Sequence, residues 1–317
     1  MTNPDAAPIE ILSHTRGTFV SAMVAHGHDA PAARACYRRC LQDGCTEVLA
    51  GAIISPMPVI ARDADDGVIK LGQRTRDGQV IESVILPMPT GTTLCVSTQA
   101  GCRMGCRFCR TAAMGFVRNL SAAEIVGQVW TARHVAGAAV SNLVFMGMGE
   151  PLDNVDVLID ALRILNDADG LAISRANMMV STCGVVPGIE QLGRLGWKRL
   201  ALAVSLNAPN DRLRDELMPI NRRYPLKALR EALERWPMRA SGVICIEYVL
   251  LKGVNDARAH AREIADFVRG LRTRIHLIPW NGHDAARFAA PEEADVLTFL
   301  GWLRDEGLFA TRRVSRG

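Results

Sequence analysis

The chain has 317 residues, 49% of them apolar, which suffices for one large domain with an appendage and a buried core. Its net charge of +4 permits an RNA partner without requiring one. No apolar run approaches the ~20 residues of a membrane span, and residues 1–17 lack both regions of a secretory leader, so a soluble, cytoplasmic protein with reduced cysteines is expected.

Residues 1–65 read as a small N-terminal helical accessory domain. FVSAMVAHG and AARACYRRCLQDG have helical character, and Gly27 is a candidate cap for the first. Cys36, Cys40 and Cys45 form C-x3-C-x4-C in and after the second helix. A free cysteine behaves as a small apolar residue, so these three are read as structural. Residues 66–92 predict a β-hairpin extension, in which VIKLGQRT meets QVIESVILPM across the turn dipeptide Asp77-Gly78.

Residues 93–317 alternate. Strand-like TLCVSTQ, NLVFMGMG, NMMVSTCG, RLALAVSLN, VICIEYVLL and RIHLIPWN are separated by helix-like segments from SAAEIVGQVWTARHVAG to ARAHAREIADFVRGL, and PEEADVLTFLGWLRDEG follows the last strand. Ser121 followed by Glu124 is a capping box. Cys245, inside an apolar strand, is expected in the core. Such alternation predicts an α/β fold with a parallel sheet, closed as a barrel or open and doubly wound.

Three more cysteines carry chemistry. Cys102, Cys106 and Cys109 are spaced C-x3-C-x2-C. Iron–sulfur clusters are normally held by four thiolates. Three thiolates on one [4Fe–4S] cluster leave an iron open to another ligand, as catalytic metal sites keep an open position. The alternatives are a zinc site and buried structural thiols, but no second C-x2-C pair or suitably spaced His completes a zinc set. In a barrel the βα loops form the active face. Gly149-Glu150, Ser181, Ser205-Leu206-Asn207 and Asn281 all follow or end predicted strands, though each alone is an ordinary polar strand end. Lys198, Arg199, Arg222, Arg223, Lys227, Arg230, Arg235 and Arg239 form a basic cluster that suits either RNA phosphates or a solvated helix face.

The cysteine run, with Phe108 before its last thiol, resembles the radical S-adenosylmethionine (SAM) signature. Longer stretches, among them CVSTQAGCRMGCRFCRTAAMGFVRNL, FMGMGEPLDN, STCGVVPGI, VSLNAPNDRLRDELMPINRRYP, IEYVLLKGVND and LIPWN, resemble the RlmN/Cfr family of RNA methyltransferases. That resemblance implies a partial (β/α)6 barrel, a [4Fe–4S] cluster on Cys102, Cys106 and Cys109, and SAM held by Gly149, Glu150, Ser181, Ser205, Leu206, Asn207 and Asn281. It implies methylation of an adenosine of 23S rRNA, and sometimes of tRNA, at carbon 2 or carbon 8. The wording favours carbon 2. An electron donor such as flavodoxin or ferredoxin is implied as a partner.

Cys95 matches the cysteine that resolves the covalent RNA adduct, and Glu82 the proposed proton acceptor. Read from their surroundings alone, Cys95 could be a buried strand thiol and Glu82 a solvent-facing hairpin residue. Asn207 stands where the family usually has His, which keeps a hydrogen-bonding group but loses titration. The family's methyl-carrying cysteine falls beyond Gly317, and none follows Cys245. Two other expectations therefore stand beside methyl transfer: radical chemistry with a different outcome, and a non-catalytic RNA-binding paralogue.

Overall fold

The computed structural model describes residues 7–282 and 288–313. Residues 314–317, onto which the expected C-terminal family run would follow, lie outside them. The chain begins with β1 (Ile9–Glu10), α1 (Arg16–Ala25), α2 (Ala30–Gln42), β2 (Ala52–Ile53), β3 (Val59–Asp65), β4 (Val68–Arg74), β5 (Val80–Met88) and β6 (Gly91–Cys95). Next come β7 (Gln99–Gly101), α3 (Arg110–Ala113), β8 (Phe116–Asn119), α4 (Ala122–His134), β9 (Val140–Phe145) and α5 (Val155–Asn166). The rest runs through β10 (Met178–Thr182), α6 (Val186–Gly193), β11 (Ala201–Ser205), α7 (Asp211–Leu217), α8 (Leu226–Glu234) and β12 (Ile244–Leu250). It ends with α9 (Arg258–Val268), β13 (Thr273–Pro279), α10 (Glu293–Asp305) and β14 (Ala310–Arg312).

Two compact units result. The first takes described residues up to 100 with 118–148 and 154–178; the second takes 101–117, 149–153 and described residues from 179 onward.

In the first unit, α2 starts where the Asp29 carboxylate accepts from Ala32 N at 2.8 Å, with a proline in its first turn. α1 ends at His26, and Gly27 follows in the left-handed region at φ 89°. The Ser121–Glu124 capping box opens α4. Trp130 Nε1 on α4 donates to Cys40 O of α2 at 2.8 Å, which satisfies a buried indole. Cys36 and Cys40 are buried in this helical core. The sheet of this unit runs β9-β6-β5-β4-β3, with β6 and β9 parallel and the other pairs antiparallel.

The predicted hairpin is β4–β5. It gains a third strand, β3, which the sequence reading left inside the helical piece. β3 is almost wholly exposed and ends in alternating charges, so it lacks the apolar alternation that marks a half-buried strand.

In the second unit the sheet runs β14-β13-β12-β11-β10 and every pair is parallel. β12 is an unbroken apolar run except for Glu247, as expected of a strand covered on both faces. α8 and α9 return the chain between strands with strongly one-sided apolar faces, Leu226, Leu229 and Leu233 on the first and Ala261, Ile264 and Val268 on the second. The fold class is α/β, and the six strands of the expected alternation are present, β6 and β9 parallel in the first unit and β10 to β13 parallel in the second. β14 and α7 were not predicted. β14 has three residues, too few for a periodic signal, and α7 reads DRLRDEL, where charge masks the buried side.

Candidate functional site

The cysteine loop belongs to the second unit and is fixed at several points. Gly101 stands at its entrance with φ 77°. A Cβ there would fall 2.0 Å from the Gly115 carbonyl oxygen, so no other residue fits. Cys102 N donates to that same oxygen at 2.8 Å, closing the loop on itself. Arg103 pairs with Asp153 at 2.8 Å and lies 4.0 Å above the Phe116 ring. Arg107 N donates to Leu217 O at the end of α7 (2.9 Å). Trp280 Nε1, from the end of β13, donates to Phe108 O at 2.9 Å. The aromatic before the last cysteine is thus held by its backbone as well as its ring.

Cys102, Cys106 and Cys109 pack in one apolar cluster with Met104, Phe108, Cys183, Met218 and Trp280. Burial, with Glu150 and Cys109 acting in the same direction, pushes the Cys102 thiol up to about 11. Burial also raises Cys106, with Cys109 and Cys102 adding to it. Three mutually repelling soft donors in an apolar setting become thiolates when a strong cation neutralises them. Among the described residues no three His, Cys, Asp or Glu converge as ligands of a single metal ion. The thiols fit a cluster, where each thiolate takes a different iron and the donors surround the group instead of meeting at a point.

Gly149 sits at φ 102°, which favours glycine. Glu150 beside it is 3% exposed. One of its carboxylate oxygens accepts from Leu152 N at 3.0 Å and the other from Cys183 N at 2.8 Å. Burial holds this carboxyl above the usual range. Glu150 therefore clamps its own loop to the turn after β10.

Ser181 is buried and donates to Glu247 Oε2 at 2.9 Å, while Arg313 donates to the other Glu247 oxygen at 2.9 Å. Ser205 is the Cα neighbour of Glu247 in the β11–β12 register. Leu206 is fully buried, and its N donates to Glu247 O at 2.9 Å. Asn207 is 2% exposed and left-handed, at φ 54°. Its Oδ1 accepts from Val249 N at 2.9 Å and its Nδ2 donates to Met218 Sδ at 3.5 Å. Both ends of that side chain are therefore engaged by the protein, and the backbone carbonyl oxygen of Asn207 accepts from Asn255 Nδ2 at 2.8 Å. Asn281 follows Trp280 and is exposed.

Glu82 and Cys95 belong to the first unit. Val84 on β5 is directly opposite Cys95 on β6, so Glu82, two residues back on β5, shares a sheet face with Cys95 as its diagonal neighbour. Glu82 is exposed and lies 4.0 Å from Lys70 Nζ; Cys95 is half-buried.

Three residues around the site escaped the sequence reading: Cys183, Arg214 and Glu247. A lone carboxylate inside VICIEYVLL was a usable signal for Glu247. Arg214 looks like one charge among many in DRLRDEL, yet it is 0% exposed. The basic cluster is partly neutralised: Arg235 pairs with Glu190 at 2.6 Å, and Arg230 with Glu234 at 3.2 Å. Lys198, Arg199, Arg222, Arg223, Lys227 and Arg239 are exposed.

Residues 96–268 match the radical SAM superfamily. The dual-specificity RNA methyltransferase RlmN of Syntrophotalea carbinolica is 45% identical over 261 residues, covering 82% of this chain and 69% of that protein. The probable dual-specificity RNA methyltransferase RlmN 1 of Protochlamydia amoebophila is 38% identical, covering 98% of this chain and 91% of its own. The crystal structure of a radical SAM methyltransferase from Sphaerobacter thermophilus superposes with a TM-score of 0.92 at 38% identity, covering 98% of this chain and 96% of that one.

Proposed function

The chain belongs to the radical SAM superfamily and, within it, to the RlmN/Cfr family of RNA methyltransferases, and from that premise we propose that it methylates carbon 2 of an adenosine in 23S rRNA. A tRNA adenosine is a second substrate of the same chemistry. Carbon 2 is preferred to carbon 8 because the matched stretches read as RlmN. The observation that carries the reading is the gathering of Cys102, Cys106 and Cys109 in one apolar cluster, beside a buried Glu150 that clamps the adjoining loop.

The roles follow from the residues. Cys102, Cys106 and Cys109 hold a [4Fe–4S] cluster. Gly149 and Glu150 present backbone and carboxylate to the methionine ammonium of SAM, and Ser181, Ser205, Leu206, Asn207 and Asn281 line the remainder of its site. When bound, the cluster and SAM supply the 5′-deoxyadenosyl radical. Glu82 is the proton acceptor and Cys95 the thiol that releases the RNA product, consistent with their shared sheet face. Residues 1–65 and 66–92 are accessory segments, and residues 93–317 carry the barrel. A flavodoxin or ferredoxin delivers the electron. No helix among the described residues is long and apolar enough to cross a membrane, which accords with a cytoplasmic enzyme. A target adenosine inside folded RNA must be extruded to reach the site.

The test is an anaerobic reaction with reductant, SAM and unmodified 23S rRNA, followed by mass spectrometry of 5′-deoxyadenosine and methyladenosine together. The expected result is both products, from a protein carrying about four irons. 5′-Deoxyadenosine without methyladenosine would replace methyl transfer by another radical outcome. RNA binding with neither product would leave the non-catalytic paralogue.

A further inference from the structure

Arg214 heads the largest fully buried side chains of the described residues. Its bonds go to neutral acceptors. Nη2 donates to Cys183 O at 2.6 Å and to Ser205 O at 3.3 Å, Nε donates to Leu206 O at 3.1 Å, and Nη1 donates to Asn221 Oδ1 at 2.9 Å. No carboxylate among the described residues forms an ion pair with it. Asp211 and Asp215 are reached only through the Asn221 amide, which donates to them at 2.9 and 2.7 Å.

A guanidinium removed from water without an ionic partner is costly, and a fold keeps one where an anion completes the site. Burial pulls the pKa of Arg214 down. The helix carrying Arg214 lies against the cysteine loop. Leu213 and Leu217 of α7 lie in the same apolar cluster as Cys102, Arg107 N is bonded to Leu217 O, and the Cys106 side chain packs on that cluster.

We propose that Arg214 is a positioning residue with two effects: its planar fork fixes the backbone of the SAM loops at residues 183, 205 and 206, and its charge favours the reduced state of the cluster held beside it by Cys106. A fixed positive charge in a low-dielectric interior stabilises an added electron more than it would in water. The four carbonyl and amide contacts are shared among Nε, Nη1 and Nη2 of one planar fork, which the point charge of lysine does not reproduce. The inference rests on the assignment of Cys102, Cys106 and Cys109 as cluster ligands and of residues 205–207 as SAM contacts.

The experiment compares the reconstituted wild-type chain with Arg214→Lys and Arg214→Met. Two quantities are read: the cluster midpoint potential by anaerobic titration followed by electron paramagnetic resonance, and SAM affinity by equilibrium binding. Arg214→Met is expected to lower the reduced-to-oxidised ratio at fixed potential about tenfold, ~59 mV for one electron, and to weaken SAM binding. Arg214→Lys is expected to keep the wild-type potential and still lose about tenfold in SAM affinity, 1.4 kcal/mol by the usual conversion.

A wild-type potential in Arg214→Met overturns the charge effect. Wild-type affinity in Arg214→Lys overturns the positioning effect. If Arg214→Met does not load iron, Arg214→Lys decides alone: a shifted potential, or unchanged affinity, defeats the proposal. A wild-type chain that itself loads no cluster defeats the cysteine assignment instead.

Discussion

Asn207 shows how one residue can serve a turn at a position proposed to meet a ligand. Its left-handed backbone tolerates Asn, and both polar atoms of its side chain are bonded inside the protein. Asn207→Ala should destabilise the protein by about 2–3 kcal/mol, combining left-handed strain with the lost bond to Val249 N. Asn207→Gly loses the same bond but escapes the strain, so it should cost about 1–2 kcal/mol. Urea unfolding of the two variants measures the difference; equal losses would remove strain from the explanation. At this scale the gathering of Cys102, Cys106 and Cys109 was legible because it is written in local spacing. Arg214 was not, because nothing in DRLRDEL marks one arginine as buried, and the lone carboxylate of Glu247 did not reveal its partner Ser181, 66 positions away.

Neighbouring strands bring together groups that titrate. Cys245 on β12 and His276 on β13 meet at 3.1 Å between Sγ and Nδ1. Burial pushes the thiol up to about 12, and burial together with Arg313 and Arg274 pulls the imidazole down to about 4. Cys245 therefore stays protonated beside a neutral ring. Unfolded, the ring has its ordinary value of 6.5, so between 6.5 and 4 the unfolded chain binds a proton that the native chain refuses. The contribution of His276 is complete above 6.5 and is lost as pH falls through 4. His276→Asn should reduce the stability lost between pH 7 and pH 5 by about 1 kcal/mol, once partial exposure is discounted. Unfolding midpoints at those two pH values test it, and parallel pH profiles for both proteins would refute it. Elements with a clear period or turn signal, such as the β4–β5 hairpin and the helices α4, α8 and α9, were readable in advance. β3, α7 and β14 were not, since exposure, charge and brevity each erase the periodicity that gives an element away.

For the whole molecule the informative quantity is charge left uncompensated. The two compact units interleave along the chain, a property that linear composition does not carry. The basic cluster was visible in sequence, but only the structure separates Arg230 and Arg235, which are held by acids, from the exposed Arg222, Arg223 and Lys227. If RNA is the substrate, Arg222→Glu with Arg223→Glu should weaken RNA binding and reduce the slope of log affinity against log salt by roughly 0.7–0.9 per lost phosphate contact. SAM binding should be unchanged. An unaltered salt slope would make these arginines a merely solvated edge. The hydrogen bond from Trp280 to Phe108 also sets an order of events during synthesis. It joins positions 172 residues apart, so the cysteine loop leaves the ribosome long before its indole anchor exists. Translation proceeds at roughly 5–20 residues per second, so for about ten seconds or more the three thiols wait on a loop that lacks its indole anchor. Iron delivered in that interval meets a nascent loop with one lock missing. Emergence of Trp280 then supplies the anchor drawn from furthest along the chain, so the loop reaches its final form only late in the life of the polypeptide.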